Sequence, residues 1–295
     1  MSNKILILGA SGMLGWQITN KLLNAGEKLT LTVSNSNSVK KLRNKVNKNL
    51  KIIKIDFLKE KKVLKKIINK HNIVINCIGL IKPYINDKNQ KDIKKALNLN
   101  SLLPDYINDV IKNSNIKVYQ IATDCVFSGK DKNYLENSKH DCDDIYGKTK
   151  SLGEINSKNY FNLRCSIIGE EIKNYKSLIS WFISNKKGAS LNGFVNHEWN
   201  GLTTNAFAEV IKTLITSNIK IPNLIHLIPK NKISKYKLLN LLNLKYKTNF
   251  KINKFKSIIS INRTLNTNYK KINKIIWKKT KYGKAPSIET MISEI

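Results

Sequence analysis

Four consecutive apolar residues, Ile5-Leu-Ile-Leu8, run without a break into Gly9-Ala-Ser-Gly12-Met-Leu-Gly15. A strand without a polar face is buried on both sides, as strands of parallel sheets are. A parallel sheet needs long crossovers, so this opening commits the chain to alternating strands and helices. Met13–Asn24 has helical spacing and supplies the first crossover. The glycines between strand and helix have separate uses. Gly9 makes a tight turn, Gly12 lets the backbone approach a pyrophosphate, and Gly15 lets the helix lie against the strand. The helix N-terminus then offers unpaired N–H groups and partial positive charge to the phosphates. Dinucleotide binding follows, with Gly9, Ser11, Gly12, Met13, Leu14 and Gly15 as the cradle.

The alternation continues for two-thirds of the chain. Leu29–Val33, Lys51–Ile55, Ile73–Ile78, Lys117–Ala122 and Tyr160–Ile167 read as strands. Leu58–Lys70, Ala96–Lys112 and Ile145–Ile155 read as helices. Beyond Val210 the pattern weakens, and no Asp or Glu occurs through Ile288. Only a short strand at Leu224–Ile228 and a helix at Ser234–Leu244 stand out there. The expected fold class is α/β: a Rossmann-type doubly wound parallel sheet with a smaller, more irregular C-terminal substrate-binding lobe. Residues 1–166 are expected to form the NAD(P)-binding domain, joined by a later strand near 200–230, and 167–295 mainly the second lobe.

The formal net charge of +33 points, taken alone, to a polyanionic partner. Its make-up argues otherwise. Arg43, Arg164 and Arg263 are the only arginines, so lysine supplies 50 of the 53 basic residues. Nucleic-acid sites favour the bidentate fork of arginine. Lys, Asn and Ile, all with AT-rich codons, make up 132 of 295 residues, which reads as base-composition bias and a solvated lysine surface. No nucleic-acid partner is expected. No apolar run reaches the ~18 residues of a membrane span, and Ile5–Leu8 is too short for a signal peptide. A cytoplasmic protein without membrane insertion is expected. Cys77, Cys125, Cys142 and Cys165 show no C-x-x-C spacing and no accompanying histidine cluster, so reduced thiols and no metal site are expected.

The second strand ends at Ser34-Asn35 without the acid that would bind an NAD ribose, and Lys40, Lys41 and Arg43 follow. NADP is therefore the expected cofactor, with NAD as the alternative. Ser34, Asn35 and Arg43 are candidate contacts, and Asp56 either accepts from the adenine amino group or is a solvated loop acid. Tyr146-Gly-Lys-Thr-Lys150 places a phenol and an ammonium on one helix face. An ammonium beside a phenol stabilises phenolate, and the tyrosine can deliver a proton to a carbonyl oxygen as hydride arrives at carbon. Thr123, 23 residues earlier at the carboxyl end of a strand, can orient that oxygen. The candidate catalytic set is Thr123, Tyr146 and Lys150, the last two also holding the cofactor.

At these residues the chain resembles an extended short-chain dehydrogenase/reductase, and more narrowly the dTDP-4-dehydrorhamnose reductase family of nucleotide-sugar reductases. The matching pieces include Ile7–Gly15, Asn76-Cys-Ile-Gly79, Asn100-Ser-Leu-Leu-Pro104, Ala122–Gly129, Tyr146–Glu154 and, more weakly, Arg263-Thr-Leu-Asn-Thr267. The resemblance adds Cys77, Ile78, Gly79 and Asn100 to the cofactor contacts. It implies NADPH-dependent reduction of a 4-keto-6-deoxy nucleotide sugar for surface-polysaccharide precursors. The family's tyrosine after Thr-Asp is Cys125 here, and the Asp-Glu pair of sugar-nucleotide dehydratases is Asp124-Cys125. GDP-fucose synthases place a cysteine where Cys125 stands, which implies an epimerase-reductase alternative with His197 or His140 as acid partner. A small buried cysteine and a non-catalytic NADP-binding regulatory member are the blander alternatives. Asp124, Cys125, Arg164, His197 and Arg263 are the candidate substrate residues, with Arg263 assigned to the diphosphate, Arg164 either a substrate contact or a buried ion pair, and the Asn192–Gly201 segment a wall of the sugar pocket. A homodimer is one open assembly state.

Overall fold

The computed structural model describes residues 3–46, 50–172 and 175–295. Along the chain, β1 (Lys4–Leu8) leads through α1 (Gly15–Asn24) to β2 (Lys28–Val33), α2 (Ser36–Val46), β3 (Lys51–Lys54), α3 (Lys61–Ile68) and β4 (Ile73–Asn76). Then come α4 (Gln90–Leu97), a π-helical turn over Asn98–Leu102, α5 (Leu103–Ile111), β5 (Lys117–Ala122), α6 (Ile145–Leu152) and β6 (Tyr160–Arg164). The rest comprises β7 (Ile167–Ile168), α7 (Leu178–Ile183), β8 (Ser190–Phe194), β9 (His197–Trp199), β10 (Leu202–Thr203), α8 (Thr204–Thr216), β11 (Leu224–His226), β12 (Ile233–Ser234), α9 (Lys235–Tyr246), β13 (Lys251–Phe255), β14 (Ile261–Asn262), α10 (Lys270–Lys279) and α11 (Ile288–Ser293).

Successive side chains of a strand point to opposite faces, and β1 shows the consequence. Ile5 and Ile7 enter one apolar cluster, Leu6 and Leu8 another, and all four are fully buried. Each such side chain contributes roughly 1.5–3 kcal/mol relative to exposure. The parallel sheet runs β11-β6-β5-β4-β1-β2-β3, with Ile7 opposite Ile75 of β4 and Leu31 of β2. Connections leave β1 toward β2 on one side, while β4 lies on the other. That reversal opens a crevice beyond the carboxyl ends of β1 and β4, where Gly9 and Cys77 follow the two strands.

The carboxyl-terminal third is more regular than expected. Beside β11, it contains α8, α9, α10 and α11 and small sheets pairing β13 with β8, β12 and β14 with β9, and β10 with β7. In α8, Ala206 through Ile211 and Thr213 through Ile215 are all buried. A helix covered nearly all round has no amphipathic stripe to read. The same apolar cluster continues from β1 and α1 through α8, α9, α10 and α11.

Candidate active site

The first turn after β1 is shaped by contacts no side chain would tolerate. Gly9 sits at φ +75°. A Cβ on Gly15 would collide with the Gly9 carbonyl oxygen and lie 2.9 Å from Ala10 Cα. At its start, α1 has no side-chain cap at Leu14, so an anion can take the place a cap would fill. Gly9, Ser11, Gly12, Met13 and Leu14 line a cavity of about 560 Å³ with Ser34, Cys77, Ile78 and Gly79. Its other wall carries Thr123, Asp124, Cys125, Tyr146 and Lys150. The glycine turn, uncapped helix and acid-free end of β2 fit a dinucleotide.

Local chemistry sets the wall that carries Thr123, Tyr146 and Lys150. Asp144 caps α6 by accepting from Gly147 N at 2.8 Å, which puts Tyr146 in the first turn. A Cβ on Gly147 would collide with Cys125 O and lie 2.7 Å from Cys142 Cβ, so glycine lets α6 press on the turn after β5. That turn starts at Thr123, whose Oγ1 accepts from Cys125 N at 3.2 Å and donates to Asp124 Oδ1 at 3.3 Å. Thr123 also faces the Tyr146 phenol. Lys150 is buried and donates Nζ to Ile121 O at 2.7 Å.

Burial dominates the protonation states. The Tyr146 phenol is raised, first by desolvation and then by Cys125, with Thr123 acting in the opposite sense. The lowering expected from an adjacent ammonium is not seen, because desolvation of the buried phenol outweighs every other influence on it. A neutral phenol is the form that donates a proton. Desolvation lowers Lys150 to about 8, with Glu154 opposing. The Asp124 carboxyl is raised by burial, against the pull of Arg263 and Lys235. Burial and Asp124 push the Cys125 thiol up to about 12, so at neutral pH it is a thiol, not the thiolate base that epimerisation needs.

Several candidate residues stand away from the cavity. Arg164 is fully buried behind the wall. It pairs with Glu154 through both Nε (3.0 Å) and Nη2, meets His226 Nε2 at 2.7 Å and His140 Nε2 at 2.8 Å, and stacks 5.1 Å over Phe127. It is an ion-pair residue, not a substrate contact. His197 is buried, stacked on Phe194 and bonded to Ile259 O, and it does not line this cavity. His140 gives Nδ1 to Ser151 Oγ at 2.6 Å. Neither histidine partners Cys125. Asn100 ties Leu80 to Thr149 from behind, through Leu80 N (2.8 Å), Leu80 O (3.0 Å) and Thr149 Oγ1 (3.1 Å). Asn35 caps α2, accepting from Ser38 N at 2.8 Å. Arg43 is exposed two turns along α2. Asp56 is exposed and closes a turn by accepting from Leu58 N at 3.0 Å, whereas neighbouring Phe57 lines the cavity. Arg263 is half-buried and donates Nε to Phe127 O at 2.7 Å. Its terminal nitrogens have no partner among the described residues.

Sequence reasoning missed Leu80, Tyr84, Lys95, Ser166 and Glu171 on the cavity wall. Leu80 and Ser166 follow the carboxyl ends of β4 and β6, a position that could have flagged them. Tyr84, Lys95 and Glu171 carried no such signal.

No curated protein sequence matches the chain. The dTDP-4-dehydrorhamnose reductase of Clostridium acetobutylicum superposes with a TM-score of 0.72 at 21% identity, covering 99% of this chain and 97% of its own. The Bacillus anthracis dTDP-4-dehydrorhamnose reductase in complex with NADP gives 0.76 at 16%, covering 100% and 98%. UDP-glucuronic acid 4-epimerase from Bacillus cereus in complex with NAD gives 0.73 at 16%, covering 98% and 94%. At such identities the likeness is one of fold. The sequence itself fits a family model over residues 3–252, and by that match the chain belongs to the RmlD substrate binding domain family.

Proposed function

We propose that the chain reduces the keto group of a 4-keto-6-deoxy nucleotide sugar of the dTDP-4-dehydrorhamnose type with NADPH, for surface-polysaccharide precursors. The observation that carries this reading is the meeting of Thr123, Tyr146 and Lys150 on one wall of a cavity whose other end is the glycine turn. The Bacillus anthracis relative in complex with NADP supports the cofactor, as does the lack of an acid at Ser34-Asn35.

The bound cofactor supplies hydride. The chain's own part is binding, orientation and the proton. Gly9, Ser11, Gly12, Met13 and Leu14 hold the pyrophosphate, Ser34 the ribose end, and Cys77, Ile78 and Gly79 the opposite side. Tyr146 Oη gives its proton to the ketone oxygen, which Thr123 Oγ1 orients. Lys150, fixed on Ile121 O, keeps positive charge beside the developing alkoxide. Arg263 offers its unpartnered nitrogens to the sugar's diphosphate, next to Asp124. Mixing the protein with NADPH and dTDP-4-dehydrorhamnose should oxidise NADPH, faster than NADH. No oxidation with this ketone or with its UDP-linked analogues would reject the reading.

Lys150 gives this mechanism a pH signature. Its ammonium is lost as pH rises past about 8, so kcat/KM should fall on that limb. The limb should be absent from the residual activity of Lys150→Met. Stability runs the other way. The unfolded chain holds the lysine proton up to 10.5 and the folded chain only to about 8, so wild type gains relative to Lys150→Met across that window. The gain is on the order of 3 kcal/mol, measurable by urea unfolding. A basic limb unchanged in Lys150→Met would assign it elsewhere.

A further inference from the structure

The His197 segment, absent from the substrate cavity, supports a different surface. Between β13 and β14 the chain makes a short loop over residues 256–260. Asn196 holds it at three points: Nδ2 donates to Ser257 O at 2.8 Å, Oδ1 accepts from Ser257 N at 3.0 Å, and its backbone carbonyl accepts from Ser260 Oγ at 2.8 Å. His197 Nε2 adds a bond to Ile259 O at 3.0 Å, and its ring stacks on Phe194, which meets Phe255 edge-on. This fixed base displays two isoleucines at its apex. Ile258 is 105% and Ile259 70% exposed, with Phe255 and Val195 partly exposed beside them.

Exposed apolar side chains on a braced loop differ from scattered ones, because the hydrogen bonds hold them out of the core at a hydrophobic cost. Lys254, whose Nζ lies 5.8 Å over the Tyr236 ring, and Lys256 lead into the apex and are exposed. The nearby acid, Glu198, is already engaged by Lys232 and Asn262. We propose that this tip is a docking point for an anionic lipid surface, with Ile258 and Ile259 entering the interface and the lysines meeting the headgroups. Two residues at an apex are far short of the roughly 800 Å² per partner of a stable protein interface. They match the geometry of a shallow apolar anchor, in which lysine stems reach past the apolar tip toward phosphate. The chain's net charge of +33 is complementary to such a surface. The proposal does not depend on the reaction assigned above.

The test is co-sedimentation with phosphatidylcholine vesicles, with and without phosphatidylglycerol. Wild type should partition onto the phosphatidylglycerol vesicles only, less so as salt rises. Ile258→Ser/Ile259→Ser should weaken that partition on the order of tenfold, and Lys254→Gln/Lys256→Gln should weaken it too. Thermal unfolding should be unchanged in both variants, since all four side chains are exposed. Wild type remaining in the supernatant would overturn the proposal. So would equal partition of the serine variant, which would mean diffuse lysine charge alone. A dimer lost in the serine variant, without vesicle binding, would reassign the tip to self-association.

Discussion

Replacing Tyr146 with phenylalanine is expected to lower kcat for keto-sugar reduction about 10²–10⁴-fold, with NADPH affinity close to that of wild type. The substitution removes Oη alone. The ring keeps its place because Asp144 caps α6 and Gly147 sets the packing of the helix on the Cys125 turn. Burial keeps the Tyr146 phenol protonated, so the group lost is the proposed proton donor. Thr123→Val should cost less, because it removes an orienting hydrogen bond and leaves the donor. NADPH absorbance in single turnovers, together with cofactor titration, separates the chemical step from binding. A Tyr146→Phe protein with an undiminished chemical step would show that the proton comes from another group, and the catalytic wall would have to be reassigned.

How much of this was legible in the sequence depended on the range of the interaction concerned. While α1 begins at Gly15, two residues later than expected, the strand and the glycine turn are local and stand where the sequence puts them. So do the strand Lys117–Ala122 and the helix carrying Tyr146 and Lys150, because capping, i,i+4 spacing and two-sided burial are written within a few residues. Polar residues with more than one possible partner, near or far along the chain, were not resolved by the sequence. Asn35 is polar at a strand end, as a ribose contact would be, yet its oxygen caps the next helix. Asp56 is acidic after a strand, yet it closes its own turn while Phe57 faces the cavity. Asn100 sits within a family-like segment, but the π-helical turn aims it at Leu80 and Thr149, behind the wall. The helix Thr204–Thr216 escaped because burial on nearly every side erased its period. His197 and Arg164 could be placed only once Ile259 and His226, each 62 residues along the chain, and Glu154, beyond the end of the preceding helix, were brought to them.

Arg164 turns that last distinction into a measurement. A substrate contact replaced by methionine would raise KM and leave the unfolding midpoint alone. A buried ion-pair residue replaced by methionine leaves Glu154 uncompensated and removes the donors to His140 and His226. Arg164→Met is therefore expected to cost about 3–5 kcal/mol in urea unfolding, with no selective change in KM for the sugar nucleotide. Adding Glu154→Met should recover part of that loss, because an apolar pair avoids the stranded carboxylate, and the two substitutions should be strongly non-additive. The double variant has a second signature. Glu154 is the carboxylate whose charge favours the Lys150 ammonium, so removing it lowers the Lys150 pKa further. The basic limb of the pH–rate profile should then move to lower pH in the double variant. Additive losses with an unmoved limb would mean that the pair neither compensates itself nor reaches Lys150.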